Sequence, residues 1–443
     1  MGGGGPYDTD AWGAQNISTV RIDAPVGGLR NRLIAGVDLS YQSNDKTFFF
    51  YTLPTGITAR NLIPRNLITP DARMPAGYRV FAPTPANIAN TTATLTSVVT
   101  TAAESTDDGV FFTDRLWLSQ AWSVIGSLRL DKYRVQYDSV TVAAASATLK
   151  SKSDLTNPRV SLVYEPNESQ TWYASWGRSA NPQGTGAVAS ATALAVATKD
   201  LEPEVNQTWE AGAKVSVAQG RLGLTGSIFQ VKKDNALQTD PSTGFIQAQS
   251  GERQRIRGVE LGATGRITRA WSVNAAYAYI DAEIRESFSN CTVPAASPTG
   301  APTNVVCAVG VTAAIPVPNT VAVGRQVTFT PKHSASFWTT YDLKAVVPGL
   351  SVGGGVSYQS RVYLGYTAVS SSYAARSTLV ASKIAQAPES YSVDALVEYR
   401  VRNVRLALNA NNLTDRLNYS QVFGNRGVPA PGRSVVFSLS AAF

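Results

Sequence analysis

Few residues in this 443-residue chain could carry covalent chemistry. There is one histidine, His333, and there are two cysteines, Cys291 and Cys307. A Ser/His/acid arrangement would need His333 beside an activated serine, and no nucleophile-elbow sequence surrounds any serine. One histidine and two cysteines do not make a zinc site of the usual kinds. His333 follows Pro331 at the start of an expected strand and is read as structural. The cysteines lie in one apparent loop, with 15 residues between them. That suits a disulfide in an oxidising compartment, the other reading being two free thiols in a cytosolic protein. Non-covalent chemistry remains. Phe48-Phe-Phe-Tyr51 is followed by Arg60, Arg65 and Arg73, and a second group holds Arg361, Tyr363, Tyr366 and Tyr373. Aromatic faces with guanidinium forks suit planar anionic ligands. The candidate ligand-binding residues are Phe49, Tyr51, Arg60, Arg65, Arg73, Arg361, Tyr363 and Tyr366. An interfacial aromatic girdle is the competing reading of the same residues.

Those groups must be carried by strands. The last ten residues, Ser434 to Phe443, put Val435, Phe437, Leu439, Ala441 and Phe443 on one face. Ser434, Ser438, Ser440 and Ala442 fall on the other, with Val436 as the exception. The same period of two recurs in 208–217, 271–279, 391–400 and 404–411. On these strands Glu210, Lys214, Asp394, Glu398, Arg400 and Arg405 oppose the apolar set. A sandwich core would not accept so many charges behind its only apolar face, whereas a wet lumen would. The apolar set, including Trp209, Val393, Val397, Leu406 and Leu408, is then expected to face lipid.

Composition agrees. Charged residues make up 16% of the chain, well below the ~25% of soluble domains. Mean hydropathy is −0.07, and no run approaches the ~18 apolar residues of a spanning helix. A barrel can be this polar because only alternate strand residues meet lipid. The net charge of +8 is either ordinary surface charge or a basic lumen and loops that attract anions. Lys and Arg are scattered rather than striped, which excludes nucleic-acid binding. The N-terminal MGGGGPYDTDAW lacks the features of a signal peptide.

Connections are expected to alternate in length. Short ones fall near 25–29, 120–122, 166–169, 218–221, 267–270, 345–349 and 401–403. Long ones fall near 43–108, 139–154, 181–202, 236–250, 287–330, 362–388 and 412–432. Long loops on one side and short turns on the other characterise outer-membrane barrels, with the short turns periplasmic. Aromatics near strand ends (Trp117, Trp122, Trp172, Trp176, Tyr277, Tyr279, Tyr399) are expected in interfacial girdles. The expectation is an all-β, antiparallel transmembrane β-barrel with about 15 strands.

Several stretches then resemble TonB-dependent outer-membrane receptors, in particular the ferric-siderophore group. They are Leu201-Glu-Pro-Glu204 leading into Gln207-Thr-Trp-Glu-Ala-Gly-Ala-Lys214; Gly220 to Phe229 with Lys233-Asp-Asn235; Arg257-Gly-Val-Glu-Leu-Gly262; Thr330-Pro-Lys-His-Ser334 with Trp338-Thr-Thr-Tyr341; Leu408-Asn-Ala-Asn-Asn-Leu-Thr-Asp415; and Gly432-Arg-Ser-Val through Phe443. Their order covers roughly 200–443, and residues 12–180 fit more loosely, with Leu29–Tyr41 resembling an earlier strand.

The resemblance implies the C-terminal part of a receptor barrel over 1–443, about 15 of the family's 22 strands. A signal peptide, a plug domain and the first strands are then expected to be missing. It implies an outer-membrane receptor of a Gram-negative bacterium for ferric siderophore uptake, energised by the TonB system and not an enzyme. A passive porin-like channel is the alternative. The implied partners are a ferric siderophore, the TonB energy-transducing protein, and outer-membrane lipid and lipopolysaccharide. No cofactor is implied, since iron enters only as part of the bound siderophore. The aromatic and arginine candidates then suit catecholate or hydroxamate chelates, or else the girdle and lipopolysaccharide contact. Two unpaired strand edges are expected, unless a smaller barrel closes by pairing about 15–24 with 434–443.

Overall fold

A computed structural model describes residues 7–51, 80–86, 88, 93–182, 184–189, 199, 202–239, 246–292, 306–307, 315–318, 322–370, 379–423 and 426–442. Fifteen strands form one antiparallel sheet: β1 (Tyr7–Asp23), β2 (Asn31–Phe48), β3 (Val98–Trp117), β4 (Trp122–Thr141), β5 (Ser146–Asn167), β6 (Gln170–Asn181), β7 (Glu204–Val217), β8 (Leu222–Thr239), β9 (Ile246–Arg266), β10 (Trp271–Glu286), β11 (His333–Asp342), β12 (Leu350–Gln359), β13 (Ser390–Val401), β14 (Val404–Asn411) and β15 (Ser434–Ala441). Each pairs with its neighbours in chain order. Among the described residues β1 pairs only with β2 and β15 only with β14, so the expected alternative closure between these two is not formed. Phe443 lies outside the described residues. No described helix is long and apolar enough to cross a membrane.

Register connects the alternation of one strand to the next, because directly opposed residues share a face. One row runs Val215, Leu224, Ala263, Ala275, Phe337, Val356, Val393 across β7 to β13. The adjacent row, on the opposite face, runs Ser216, Gly223, Thr264, Asn274, Trp338, Gly355, Asp394. Glu210, Lys214, Asp394, Glu398 and Arg405 therefore share the polar face, and Trp209, Val393, Val397, Leu406 and Leu408 the apolar one, as expected. The apolar face is uncovered: Ile228 is 60% exposed and Phe437 65%. Apolar rows this extensive and this exposed are suited to lipid, not water.

Short connections span 24–30, 118–121, 168–169, 218–221, 267–270, 343–349 and 402–403. Side chains satisfy their backbone: Ser119 Oγ accepts from the Ala121 and Trp122 amides, and Thr268 Oγ1 does the same for Ala270 and Trp271. Gly349 has φ +85°, and a Cβ there would collide with the Arg400 carbonyl, so only glycine fits. Two aromatic girdles border the apolar rows. Trp122 stacks on Tyr164 at 4.4 Å near the short turns. Trp12 meets Tyr41 at 4.9 Å and Trp176 meets Trp209 at 6.1 Å nearer the long loops. Trp117 departs from the expected girdle. It is opposite Ser123 on the polar face.

Two expected long loops are corrected. At 139–154, β4 continues to Thr141 and β5 begins at Ser146, leaving a tight connection closed by Thr141 N to Ala145 O at 2.9 Å. At 236–250, β8 runs to Thr239 and β9 starts at Ile246. The cause is visible on β4. Up to Leu130 the outward residues are apolar and the inward ones polar, Ile125 excepted. Beyond it Lys132 and Arg134 point outward, while Tyr133, Val135 and Tyr137 are buried inward. The strand leaves the bilayer without ending, and the alternation inverts its phase.

The 287–332 connection contains a small three-stranded sheet from Phe288–Thr292, Val306–Cys307 and Ile315–Pro318. Cys291 and Cys307 are direct Cα partners there. Opposed antiparallel residues have Cα atoms about 4.5–5.5 Å apart, within disulfide range. We propose that the two are bridged, which stabilises this long connection by about 3 kcal/mol in the chain-entropy model. Alkylation of the denatured protein followed by mass measurement should add no label before reduction and two labels after it; labelling of the unreduced chain would exclude the bridge. A second expectation concerns the apolar face. Leu261→Arg should cost about 2–4 kcal/mol of stability in vesicles, and Thr264→Arg, facing the other way, far less, as read by denaturant titration.

Candidate functional site

The polar face is built as a lining. Arg129 donates from Nη1 to Asp38 at 3.0 Å and lies 2.7 Å from Asp131 and 3.9 Å from Asp107. Asn157 Nδ2 donates to Asp131 at 3.3 Å. Three carboxylates thus share one guanidinium. Near the chain's end Glu398 receives Arg400 and Arg405, each at 2.6 Å. Tyr173 Oη donates to Glu210. Glu210, Glu398, Arg400 and Arg405 are groups that alternation assigned to the wet side; the Arg129 cluster is not among them. Among the described residues no group of three or more His, Cys, Asp or Glu is placed to hold a metal ion.

Four aromatic side chains on this face reach over the glycine directly opposite. Phe111 covers Gly36, Tyr173 covers Gly212, Phe229 covers Gly258 and Trp338 covers Gly355. A Cβ at these glycines would stand 2.7, 2.6, 2.5 and 2.5 Å from the respective ring or hydroxyl. Glycine under an aromatic cross-strand partner recovers the packing that glycine alone lacks.

At the long-loop end, the connection after β6 folds inward. Its short helix α1 (Thr185–Ala189) buries Ala187 and Val188 against Ala103, Tyr133, Val135 and Tyr137. Asn44 Nδ2 donates to the Val188 carbonyl at 3.0 Å. Sequence reasoning missed this contact; its only sign is the inverted alternation of 133–137. The connections before and after β13 and β14 also pack together. A hairpin of Val362–Ser370 and Leu379–Ala387 buries Val362, Leu364 and Ala387, with Val422 of the 412–433 connection against them.

The Asn-Asn-Leu-Thr-Asp stretch fixes that last connection. The Asn412 amide donates to Asp394 Oδ1 at 2.8 Å. Its side chain donates to the Arg416 carbonyl at 2.9 Å and accepts from the Arg416 amide at 3.1 Å. Asn412 has φ 48°, a left-handed conformation that asparagine tolerates. Asn418 brackets the Tyr391 backbone with bonds of 3.2 and 2.8 Å, and the Arg416 guanidinium lies 4.4 Å from the Tyr391 ring centroid.

The ligand candidates fall in two separate connections. Phe49 is half-buried between β2 and a short pairing of Phe50–Tyr51 with Val80–Phe81, which includes the backbone of Tyr51. Arg60, Arg65, Arg73 and Tyr373 lie outside the described residues. Arg361 is exposed and Tyr363 half-buried at the base of the second hairpin, where the Tyr363 carbonyl accepts from the Phe329 amide at 2.8 Å. The Tyr366 backbone pairs with Ile384. Both groups therefore stand on the long-loop side. His333 faces the apolar side, its Nδ1 2.9 Å from Tyr277 Oη, which is a structural role.

Removing the Asn412 side chain leaves the part-buried Arg416 backbone without its side-chain partner. Asn412→Ala should destabilise the 412–433 connection by about 2 kcal/mol, seen as faster proteolytic cleavage within it and unchanged cleavage elsewhere.

Comparison with known proteins agrees with this architecture. The family model described as TonB dependent receptor-like, beta-barrel matches residues 4–413. The probable TonB-dependent siderophore receptor PiuA of Acinetobacter baumannii is 29% identical over 337 residues, 75% of this chain and 40% of the relative. The catecholate siderophore receptor Fiu of Escherichia coli is 25% identical over 331 residues, 69% of this chain and 37% of that one. This chain thus spans about 40% of the length of such relatives. The crystal structure of PiuA superposes with a TM-score of 0.73 at 23% identity, over 98% of this chain and 56% of that one. The closed form of Fiu gives 0.69 at 19%, over 99% and 55%. Such proteins are outer-membrane barrels of Gram-negative bacteria, and they are receptors and transporters, not enzymes. The apolar face is accordingly the lipid face of a barrel wall and the polar face its lumen, and the chain belongs to the TonB-dependent receptor β-barrel family.

Proposed function

We propose that this chain forms lumen wall and extracellular surface of a receptor that takes up a ferric siderophore across the outer membrane, energised by the TonB protein. The observation that carries the reading is the family match, 4–413, together with relatives that are siderophore receptors by name. The geometry supports it. A charged, aromatic-lined lumen stands behind a lipid face, and connections rich in aromatics and arginines, Phe49 and Tyr51 in one and Arg361, Tyr363 and Tyr366 in another, stand at the long-loop end. Guanidinium and aromatic groups recognise planar anionic chelates of the catecholate or hydroxamate class. Iron is cargo within the ligand, and no resident cofactor takes part. Outer-membrane lipid contacts the apolar rows. Lipopolysaccharide meets the charged rows above them, where Lys132, Arg134 and Lys152 lie beside Asp108 and Asp154 on β3 to β5.

Binding and transport test this reading together. Outer membranes carrying the full chain should bind an iron-loaded tricatecholate saturably. Arg361→Ala should weaken that binding about tenfold, the worth of one charge-assisted hydrogen bond. Uptake by cells should stop when TonB is removed. Non-saturable binding, or a steady small-solute conductance in planar bilayers that the chelate leaves unchanged, identifies a passive channel instead.

A further inference from the structure

A second charged cluster lies at the opposite end of the lumen, beside the short turns. Arg32 on β2 and Arg115 on β3 are direct Cα partners on the polar face, and like charges so placed repel. Two further guanidiniums join them: Arg21 from β1 and Arg30 from the turn before β2. Three of them gather at Trp117, and Arg21 is tied to Arg32 through their shared partner Asp23. Arg30, Arg115 and Arg32 lie 4.1, 4.5 and 5.8 Å from its ring centroids.

Only two carboxylates serve these four cations. Asp23 takes Arg21 at 2.6 Å and Arg32 at 2.7 Å, each through a single Nε. Glu165 takes Arg115 Nη2 at 2.5 Å, while Arg115 Nε donates to the fully buried Ser123 at 3.1 Å. Asp114 is on the other face, held by Asn31 at 2.6 Å. Among the described residues Arg30 has no carboxylate within ion-pair distance. The cluster carries two positive charges in excess. Arg30, nearest the indole, keeps its whole N–H fork clear of any carboxylate among the described residues, and Arg32 engages Asp23 through Nε alone.

We propose that this arginine–tryptophan cluster is a carboxylate-binding site at the periplasmic rim of the lumen. Guanidinium forks match carboxylate geometry bidentately, and an incoming anion removes the repulsion between Arg32 and Arg115. The carboxylate belongs either to a small polycarboxylate solute or to an acidic side chain of a polypeptide seated in the lumen. The proposal stands apart from the siderophore reading, since it uses none of the long-loop residues.

The full chain in lipid nanodiscs, labelled with 5-fluorotryptophan, tests it. Trp117→Phe identifies the Trp117 fluorine resonance. Sodium citrate and an N-acetylated Glu-Asp peptide are the probes, and sodium chloride at matched ionic strength is the control. A carboxylate probe should move the Trp117 resonance saturably while chloride does not. Arg30→Gln should weaken that response about tenfold, and Arg115→Lys should weaken it while keeping the charge. Arg134→Gln, on the outward face, should leave it unchanged. A response to citrate supports the small-solute source, and a response to the peptide alone supports the polypeptide source. If neither probe moves the resonance, if chloride moves it equally, or if Arg30→Gln responds as the parent does, the proposal is overturned. Should Arg115→Lys fail to fold, Arg30→Gln decides alone, because Arg30 is exposed outside any strand.

Discussion

Inside a bilayer a peptide N–H or C=O has no water to bond, and each one left unpaired costs several kcal/mol. Everything else in this wall follows from meeting that requirement with neighbours in chain order. Thirteen of the fifteen strands are paired on both sides. Each connection then only has to join adjacent antiparallel ends, so turns of two to seven residues suffice on one side. The other side is free to carry long insertions without disturbing the ladder, and those insertions carry the candidate recognition groups.

The second constraint is that one strand must satisfy two solvents at once. Period-two alternation does this, and register extends it across the sheet. At the outer boundary of the membrane the solvents change and the alternation responds. On β4, Leu128 and Leu130 face lipid with Arg129 and Asp131 behind them. Then Lys132 and Arg134 face water with Tyr133, Val135 and Tyr137 behind. The inward apolar stripe gives α1 a place to dock, so the extramembrane part of the wall acquires a small core of its own.

This inversion also explains what was legible in the sequence. The number of strands, the seven short turns and the division of Glu210, Lys214 and Asp394 from Trp209, Val393 and Leu408 could be read from alternation alone. The ends of β4 and β5 could not, because the lipid-facing pattern stops at the boundary while the strand does not. Trp117 was misplaced for a related reason. An aromatic near a strand end looks the same whichever face it is on, and only the register opposite Ser123 decides. Asn412 illustrates the reverse case. Its stretch was recognised as turn-forming, but its role depends on Asp394, which is 18 residues away in sequence and adjacent only through the β13–β14 pairing. The candidate recognition residues were legible as residue types and as a side of the wall, not as a pocket, since no periodicity constrains a loop.

The four rings lying over glycines bear on how such a wall can change over generations. Each pair straddles two strands, and at each glycine a backbone carbonyl of a paired strand, 2.4–2.8 Å from where a Cβ would stand, excludes a methyl group as firmly as the ring does. The ring can therefore be exchanged while its glycine is kept, but losing the ring does not free the glycine to change. The same geometry keeps each ring over the glycine of the neighbouring strand, against the wall. Shrinking a ring would leave bare glycine backbone lining the passage, and enlarging a glycine would meet the backbone wherever the ring moved.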